Sequence, residues 1–459
     1  MRLVQTNAAK NRRSGTMLVL AGLCCLALIP MIGLAVDGAN VYLMRNQISN
    51  ALNSAVLAGI RSLNLGSNIA AQSASASTVG QMTFAADITG MNPSVSITSY
   101  PVFSVSQNSG TGIITITASA SASLPLMLMG MIGIPPTTIN LSATAQRRVV
   151  NIMLVLDHSG PIGGTPLADM QADANAFVKM FVNGTDNIGL VTYTGAPWLA
   201  DPLPNLNFQS NVPNDISNLG ITNGMTNTAA AMSTAYGQLQ SLNQPGALNV
   251  IVLFTENSPG TFTGNFAQPL VQANAPCTVT TNPLNGMLWS SQNLAQIGGL
   301  SAATAASEND TPEGNPATGC TSTTRVPYRY LSAMPSTDIY GNSTNGTGAY
   351  SSAYAPYVQV SLANISAATI TAAAENALDD AANQIRSNAT LPATIFVIGA
   401  PGASPSVPDA VLMARVANDP TSAYYNSAQP QGEYIYAPST AQLQTAFTGI
   451  ASTVLKLLQ

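Results

Sequence analysis

The chain opens with a long apolar run that changes into an amphipathic pattern. Residues Met17 to Val36 carry no charge. At about 1.5 Å per residue, a helix of this length spans the roughly 30 Å hydrocarbon core of a bilayer. From residue 41 to residue 63, apolar positions recur every three or four residues. The pattern predicts one helix over about 17–64, whose first half lies in the membrane and whose second half is amphipathic and lies outside it.

Charged residues around the apolar run predict its orientation. Arg12 and Arg13 precede it, and Asp37 follows directly. The excess of positive charge before the run places the N-terminus in the cytoplasm and the rest of the chain outside. A cleaved signal peptide is the alternative interpretation, but the run is longer than the typical apolar core of about 7–15 residues in such a peptide. A single-pass anchor is therefore favoured.

The region 66–148 is predicted to be small and rich in β-structure. Strands are expected at 94–105 and 112–123, the second because Ile and Ala alternate there with Thr and Ser. The apolar segment 124–134 is too short to cross a bilayer and is expected to pack against the helix or the sheet. A further short strand is predicted at 139–145.

A resemblance to a known family rests on the order of these features. The residues that carry it are Arg12, Arg13, Gly15, Asp37, Tyr42, Ala55, Ala58 and Gly59. Residues 1–146 resemble the TadE/TadG-like proteins of the Flp (tight adherence) pilus-assembly system. The resemblance implies a protein of the bacterial inner membrane, with its bulk periplasmic or extracellular and with other pilus or envelope proteins as partners.

From residue 149 onwards, predicted strands alternate with predicted helices. The strands are 149–157, 187–193, 249–256 and 393–399, and the helices are 167–181, 226–242, 364–387, 407–417 and 440–458. This alternation predicts an α/β fold with a doubly wound, mostly parallel sheet across 149–459. Residues 257–363 are rich in Asn, Thr, Ser, Gly and Pro and are predicted to form a surface insertion.

Oxygen-bearing side chains follow the predicted strands, where ligands bind in such sheets. Asp157 and Ser159 come after the first strand, Thr226 precedes a helix, and Glu256 ends the central strand. Two carboxylates and two hydroxyls, completed by water, form a set of ligands that suits Mg²⁺.

The segments "DHSGP", "GMTNTAAAM" and "LFTEN" around these residues resemble the von Willebrand factor A fold and its metal-ion-dependent adhesion site. The chain departs from that motif at Pro161, which stands where a serine hydroxyl is usual, and at Glu256, which stands where Asp is usual. The alternative is a metal-free site, in which Asp157 accepts hydrogen bonds from loop amides and Ser159 or Thr226 caps a helix.

Composition narrows the classes of function. Only 7% of residues are charged, against roughly 25% in an average soluble domain, and the net charge is −5. The chain therefore lacks the basic surface that nucleic-acid binding requires. His158 is the only histidine, so a zinc site is not expected, and we interpret it as an outward-facing residue rather than a catalytic one.

No catalytic residues, organic cofactor or small-molecule substrate are predicted. Cys277 and Cys320, in the polar insertion, can pair as a disulfide, and two free thiols are the alternative. The predicted function is a non-enzymatic, TadG-like pilus-assembly and surface-attachment component that presents a von Willebrand A-type domain. The alternative is an adhesin that binds a protein ligand through Mg²⁺ at the degenerate site.

Overall fold

The computed structural model divides the chain into two compact units. Unit 1 comprises Met1–Ser106 and Thr115–Gln146, and unit 2 comprises Gln107–Ile114 and Arg147–Gln459. The structure describes residues 8–65, 69–90, 95–108, 113–160, 167–205, 207–222, 225–266, 284–289, 299–302, 326–327, 331, 333–345, 365–402 and 407–457.

In its described residues, unit 1 combines two α-helices with a small sheet. Helix α1 (Ala8–Arg61) runs through Pro30 and ends in a 3-10 turn, Ser62–Leu65. The strands are β1 (Ser96–Gln107), β2 (Ile113–Leu124) and β3 (Thr137–Arg148), in the order β1-β2-β3 among the described residues. All three strands lie where the sequence pattern predicts them. Helix α2 (Ile69–Asp87) was not predicted, because its Ser, Ala and Gly residues give no clear periodicity.

Helix α1 is continuous across the two halves that the sequence distinguishes. Within the part of the chain that the structure describes, no helix is both long enough and apolar enough to cross a membrane. The single-pass anchor at residues 17–36 stays a prediction.

Small residues let the two helices of unit 1 pack closely on each other and on the sheet. An added Cβ at Gly80 on α2 would lie 2.2 Å from the ring of Phe103 on β1, closer than atoms can approach. At Gly59 on α1, an added Cβ would lie 3.2 Å from the carbonyl oxygen of Ala76. Gly59 belongs to the motif that carries the family resemblance, so this part of the motif has a direct role in packing.

The main sheet of unit 2 is covered on both faces. Its strands are β4 (Val150–Asp157), β5 (Asn187–Tyr193), β6 (Pro197–Asp201), β7 (Leu248–Thr255), β12 (Thr394–Gly399) and β13 (Tyr434–Tyr436). Their order in the described residues is β13-β12-β7-β4-β5-β6, parallel except for the edge strand β6. The predicted α/β fold class is thus confirmed.

Successive side chains of the strands supply two separate cores, as the two-residue repeat of a strand requires. One core joins residues such as Leu154 and Phe254 to α3 (Leu167–Lys179), α4 (Phe208–Asn218) and α8 (Thr440–Leu457). The opposite core joins residues such as Val155 and Leu253 to α5 (Thr228–Leu242), α6 (Ala367–Ser387) and α7 (Ala410–Ala417).

A row of amide side chains crosses the central strands at their amino ends. Asn187 on β5 donates to Asn151 on β4 over 3.0 Å, and Asn151 donates to Asn249 on β7 over 3.0 Å. These residues are paired directly opposite one another in the sheet. A shift of one residue would break the row and turn each strand's core residues to the wrong face, so the row specifies the register.

The insertion contains a second sheet rather than loops alone. In its described residues, β8 (Thr261–Phe266), β9 (Leu284–Trp289), β10 (Gly299–Ala302) and β11 (Val326–Pro327) pair in the order β11-β10-β9-β8. Trp289 is buried, so it packs within the protein. Cys277 and Cys320 lie outside the described residues, and their pairing stays a prediction.

Replacing Gly80 with alanine should destabilise unit 1. The substitution gains about 1 kcal/mol of helix propensity, but the added methyl group must displace the ring of Phe103. We expect faster hydrogen exchange at the amides of α2 and β1, measured by mass spectrometry on the full chain. Gly38→Ala, on α1 where an added Cβ meets open space, is the control. Unchanged exchange in Gly80→Ala would contradict the role of this contact.

Candidate functional site

The four residues predicted to form a site come together at the carboxyl edge of the sheet in unit 2. Asp157 ends β4, and Glu256 directly follows β7, the neighbouring parallel strand. Ser159 and Thr226 lie in the adjacent loops, and all four side chains are buried.

Asp157 is held by donors from two loops. Its Oδ1 accepts a hydrogen bond from the amide of Ser159 over 3.0 Å. Its Oδ2 accepts from the Thr255 hydroxyl over 3.1 Å and from the amide of Glu256 over 3.3 Å. Burial raises the pKa of Asp157 to about 6, and these hydrogen bonds oppose the rise. The amide contacts are those that the metal-free alternative predicts for this carboxylate.

Ser159 and Thr226 form a hydroxyl pair, with 2.9 Å between their oxygens. The loop of Thr226 is positioned by Asn227, which is buried at the start of α5. The Asn227 amide donates to the carbonyl of Thr194 over 2.8 Å, and its side chain donates to the carbonyl of Gly195 and the hydroxyl of Thr263. The hydroxyl pair is therefore fixed by surrounding structure rather than free to turn away.

Glu256 is the least satisfied member of the site. Neither carboxylate oxygen has a hydrogen-bond partner of good geometry among the described residues. Burial, followed by the negative charge of Asp157, raises the pKa of Glu256 to about 9, and the amide of Gly160 opposes this rise. Without a cation, Glu256 therefore keeps its proton at neutral pH.

His158 is not exposed, so the prediction that it faces outward was wrong. Its side chain is 1% exposed, and its Nδ1 lies 2.9 Å from the carbonyl oxygen of Gly220. Thr222 donates to the His158 carbonyl through both its amide and its hydroxyl. Burial lowers the pKa of His158, opposed by the contact with Gly220, so the imidazole is neutral and ties the first site loop to the loop after α4.

The arrangement suits a hard divalent cation. Hydrogen bonds connect Asp157 with Ser159 and with the Glu256 amide, and Ser159 with Thr226; neither Glu256 side-chain oxygen has a hydrogen-bond partner of good geometry in the described residues. Among the described residues, no group of three or more His, Cys, Asp or Glu could hold a metal. A cation bound here would take hydroxyl and water ligands beside the two carboxylates. Pro161 lies outside the described residues. Mg²⁺ binding by these four residues stays a prediction.

Two supporting residues escaped sequence reasoning. The hydroxyl of Thr255, the residue before Glu256, donates a hydrogen bond to Asp157. Thr255 ends an apolar strand, and nothing in the sequence around it indicated this role. Asn227 caps α5, with its side chain accepting from the amide of Ala230. Its signal was present, because Asn before a helix of small residues is a favoured cap.

Two family models match the chain. Residues 15–76 match the Flp pilus-assembly TadE/G-like family, and residues 151–281 match the von Willebrand factor type A domain. The chain therefore combines a TadE/G-like pilus-assembly region with a von Willebrand A domain, which confirms both resemblances seen in the sequence.

The solved structures that are similar to this chain include pilus proteins. The PilB minor pilin from Streptococcus sanguinis is 13% identical, over 80% of this chain and 79% of that chain, with a TM-score of 0.37. The vWF domain of the type V pili tip protein Mfa5 from Porphyromonas gingivalis is 17% identical, over 68% and 97%, with a TM-score of 0.36. No curated protein matches the chain. At these TM-scores, the structural similarities assign no function to the present chain.

Replacing Glu256 with glutamine should stabilise the cation-free protein at alkaline pH. The folded state holds a proton on Glu256 up to about pH 9, whereas the unfolded chain releases it near the ordinary value of 4.5. Between these values the native state binds more protons, so stability falls as pH rises. In chelator, we expect Glu256→Gln to melt several degrees above wild type at pH 8, and near wild type at pH 5.

Glu433→Gln, which changes an exposed glutamate, is the matched control and should follow wild type at both pH values. An identical difference between Glu256→Gln and wild type at pH 5 and pH 8 would show that Glu256 does not carry the buried proton.

Proposed function

We propose that this protein is a pilus-assembly and surface-attachment component that holds a von Willebrand A domain outside the cytoplasm. One observation carries the proposal: a TadE/G-like region precedes a von Willebrand A domain on the same chain. The first kind of region belongs to a pilus-assembly family, and the second offers a loop edge suited to binding. Other pilus or envelope proteins are the partners that this combination suggests.

The proposal includes a single-pass anchor in the bacterial inner membrane. The uncharged run Met17–Val36 follows Arg12 and Arg13, which favours a cytoplasmic N-terminus. Large apolar side chains such as Leu20, Leu26 and Met31 are exposed along this part of α1. Water does not favour such a surface, whereas lipid does.

The role we assign is binding and assembly rather than catalysis. His158 is buried against Gly220, and no serine or cysteine nucleophile pairs with it in the described residues. Loop amides and the Thr255 hydroxyl donate to the Asp157 carboxylate, whereas the Glu256 carboxylate lacks a hydrogen-bond partner of good geometry in the described residues. This arrangement suits holding a cation, or a partner's acidic group through one.

Deletion of the gene should reduce pilus number and surface attachment. The wild-type chain should restore both, counted by electron microscopy and by retention of cells on a surface. A chain that lacks residues 149–459 should not restore attachment, because the von Willebrand A domain is the proposed binding element. Normal pili and attachment in the deletion strain would overturn the assembly role.

A second candidate function is adhesion that depends on Mg²⁺ at Asp157, Ser159, Thr226 and Glu256. The unpaired oxygens of Glu256 favour it, since a bound cation would supply the positive charge that the buried carboxylates lack. Because the cation displaces the proton from Glu256, binding should strengthen as pH rises.

Millimolar Mg²⁺ should raise the melting temperature of the full chain, because a ligand that binds only the native state stabilises it. Calorimetry in buffers of different ionisation enthalpy should detect release of protons on binding. Asp157→Ala should lose both effects, whereas Asp215→Ala, which removes a half-buried carboxylate on α4, should keep them. An equal thermal shift in Asp157→Ala would remove the site.

A further inference from the structure

Unit 1 has an apolar surface that its own fold does not cover. The segment between β2 and β3, residues 125–134, which we call the apolar loop, has no charged residue. Met131 is 82% exposed, and Met127, Leu128, Ile132 and Ile134 are also exposed. Soluble proteins rarely expose so many large apolar side chains together without a partner.

The loop is fastened to α1 through Asp37. The Asp37 carboxylate is 2% exposed and accepts hydrogen bonds from the amides of Met127, Leu128 and Met129 over 2.7–3.1 Å. The Met129 amide contributes most to lowering the pKa of Asp37, against the burial that raises it, and the other two amides add to it. The carboxylate therefore stays charged and holds the loop.

A glycine on α1 allows the loop to lie close to the helix. An added Cβ at Gly33 would lie 3.2 Å from Cβ of Leu128 and 3.6 Å from the sulfur of Met129. Gly33 and Asp37 are one helical turn apart, so they present one face to the loop. The loop therefore lies level with the last turn of the uncharged run, within roughly 5 Å of Val36 along the helix axis.

We propose that the apolar loop inserts into the outer leaflet of the membrane beside α1, as a second contact between unit 1 and lipid. The proposal rests on the anchor proposed above. It extends it by naming a separate segment and Asp37 as the residue that positions it. We choose lipid as the partner because the apolar loop is continuous with the apolar surface of α1. Exposed Ile32, Leu34 and Val36 of α1 lie at the same level along the helix axis as the loop, so both surfaces face one environment.

A protein partner that covers the loop instead is the competing outcome. The loop would then stay in water when the chain is alone in a bilayer. Tryptophan fluorescence in reconstituted vesicles distinguishes the two, because bromine on a lipid chain quenches only tryptophans within the bilayer.

The test uses the full chain in vesicles of phosphatidylcholine and phosphatidylglycerol, with the phosphatidylcholine brominated near the headgroup end of its chains. Met131→Trp reports on the loop, and Ile132→Trp is a second reporter in case the first disturbs folding. Met82→Trp is the matched control, because Met82 is 68% exposed on α2. Met82 is level with residues 50–59 of α1, because it lies on α2 between Asp87, which lines one cavity with Asn50, and Ala76, which approaches Gly59. That level is roughly 25 Å beyond Val36.

A segment that inserts into the outer leaflet in this way lies about 5–10 Å below the membrane surface, close to the bromine atoms. The loop reporters should therefore lose at least about half of the emission that the new tryptophan adds, and the control less than about a tenth. The signal of the parent chain, from Trp198 and Trp289, is subtracted. Asp37→Ala should reduce quenching of Met131→Trp, because the loop loses its attachment.

Extraction with alkaline carbonate separates failure of this proposal from failure of the anchor. If the chain resists extraction but both loop reporters remain unquenched and accessible to aqueous acrylamide, the loop does not enter lipid and the proposal is overturned. If carbonate releases the chain from the vesicles, the anchor fails, and the loop proposal falls with it.

Discussion

The register of β4 is the constraint on which unit 2 depends. All eight of its residues are buried, with β5 on one side and β7 on the other. The row of Asn187, Asn151 and Asn249 sets that register at the amino end of the strands. The same register brings Asp157 beside Glu256 at the opposite end, so packing and site geometry share one cause.

The site at that edge holds two buried carboxyl groups, but its hydrogen-bond donors satisfy only one of them in the described residues. Asp157 is satisfied by amides and a hydroxyl, but Glu256 is not. Proteins tolerate such a group by keeping it protonated or by binding a cation. If Mg²⁺ binds there as proposed, occupancy of the site would depend on pH as well as on the supply of cation, and acidic solution would favour the empty, protonated form.

Sequence reasoning recovered the elements with strong periodicity. The alternation in β2 and the apolar runs of β4, β7 and β12 predicted those strands, and the order of strands and helices predicted the fold class. It missed α2, whose Ser and Ala residues fit several structures, and β6, a short antiparallel edge strand. It brought together the four site residues, but not the burial of His158, since neighbours in a loop can point to either side.

Helix α1 spans 54 residues without interruption, about 80 Å of continuous backbone. Asp37 attaches the apolar loop to α1 near the middle of the helix, because its carboxylate accepts hydrogen bonds from the amides of Met127, Leu128 and Met129. A pull on the β1–β3 sheet thus reaches α1 through these hydrogen bonds as well as through the chain connection and the packing around Phe103. The hydrogen bonds between Asp37 and the apolar loop share one carboxylate. They therefore resist sliding of the loop along α1 together, instead of opening one after another.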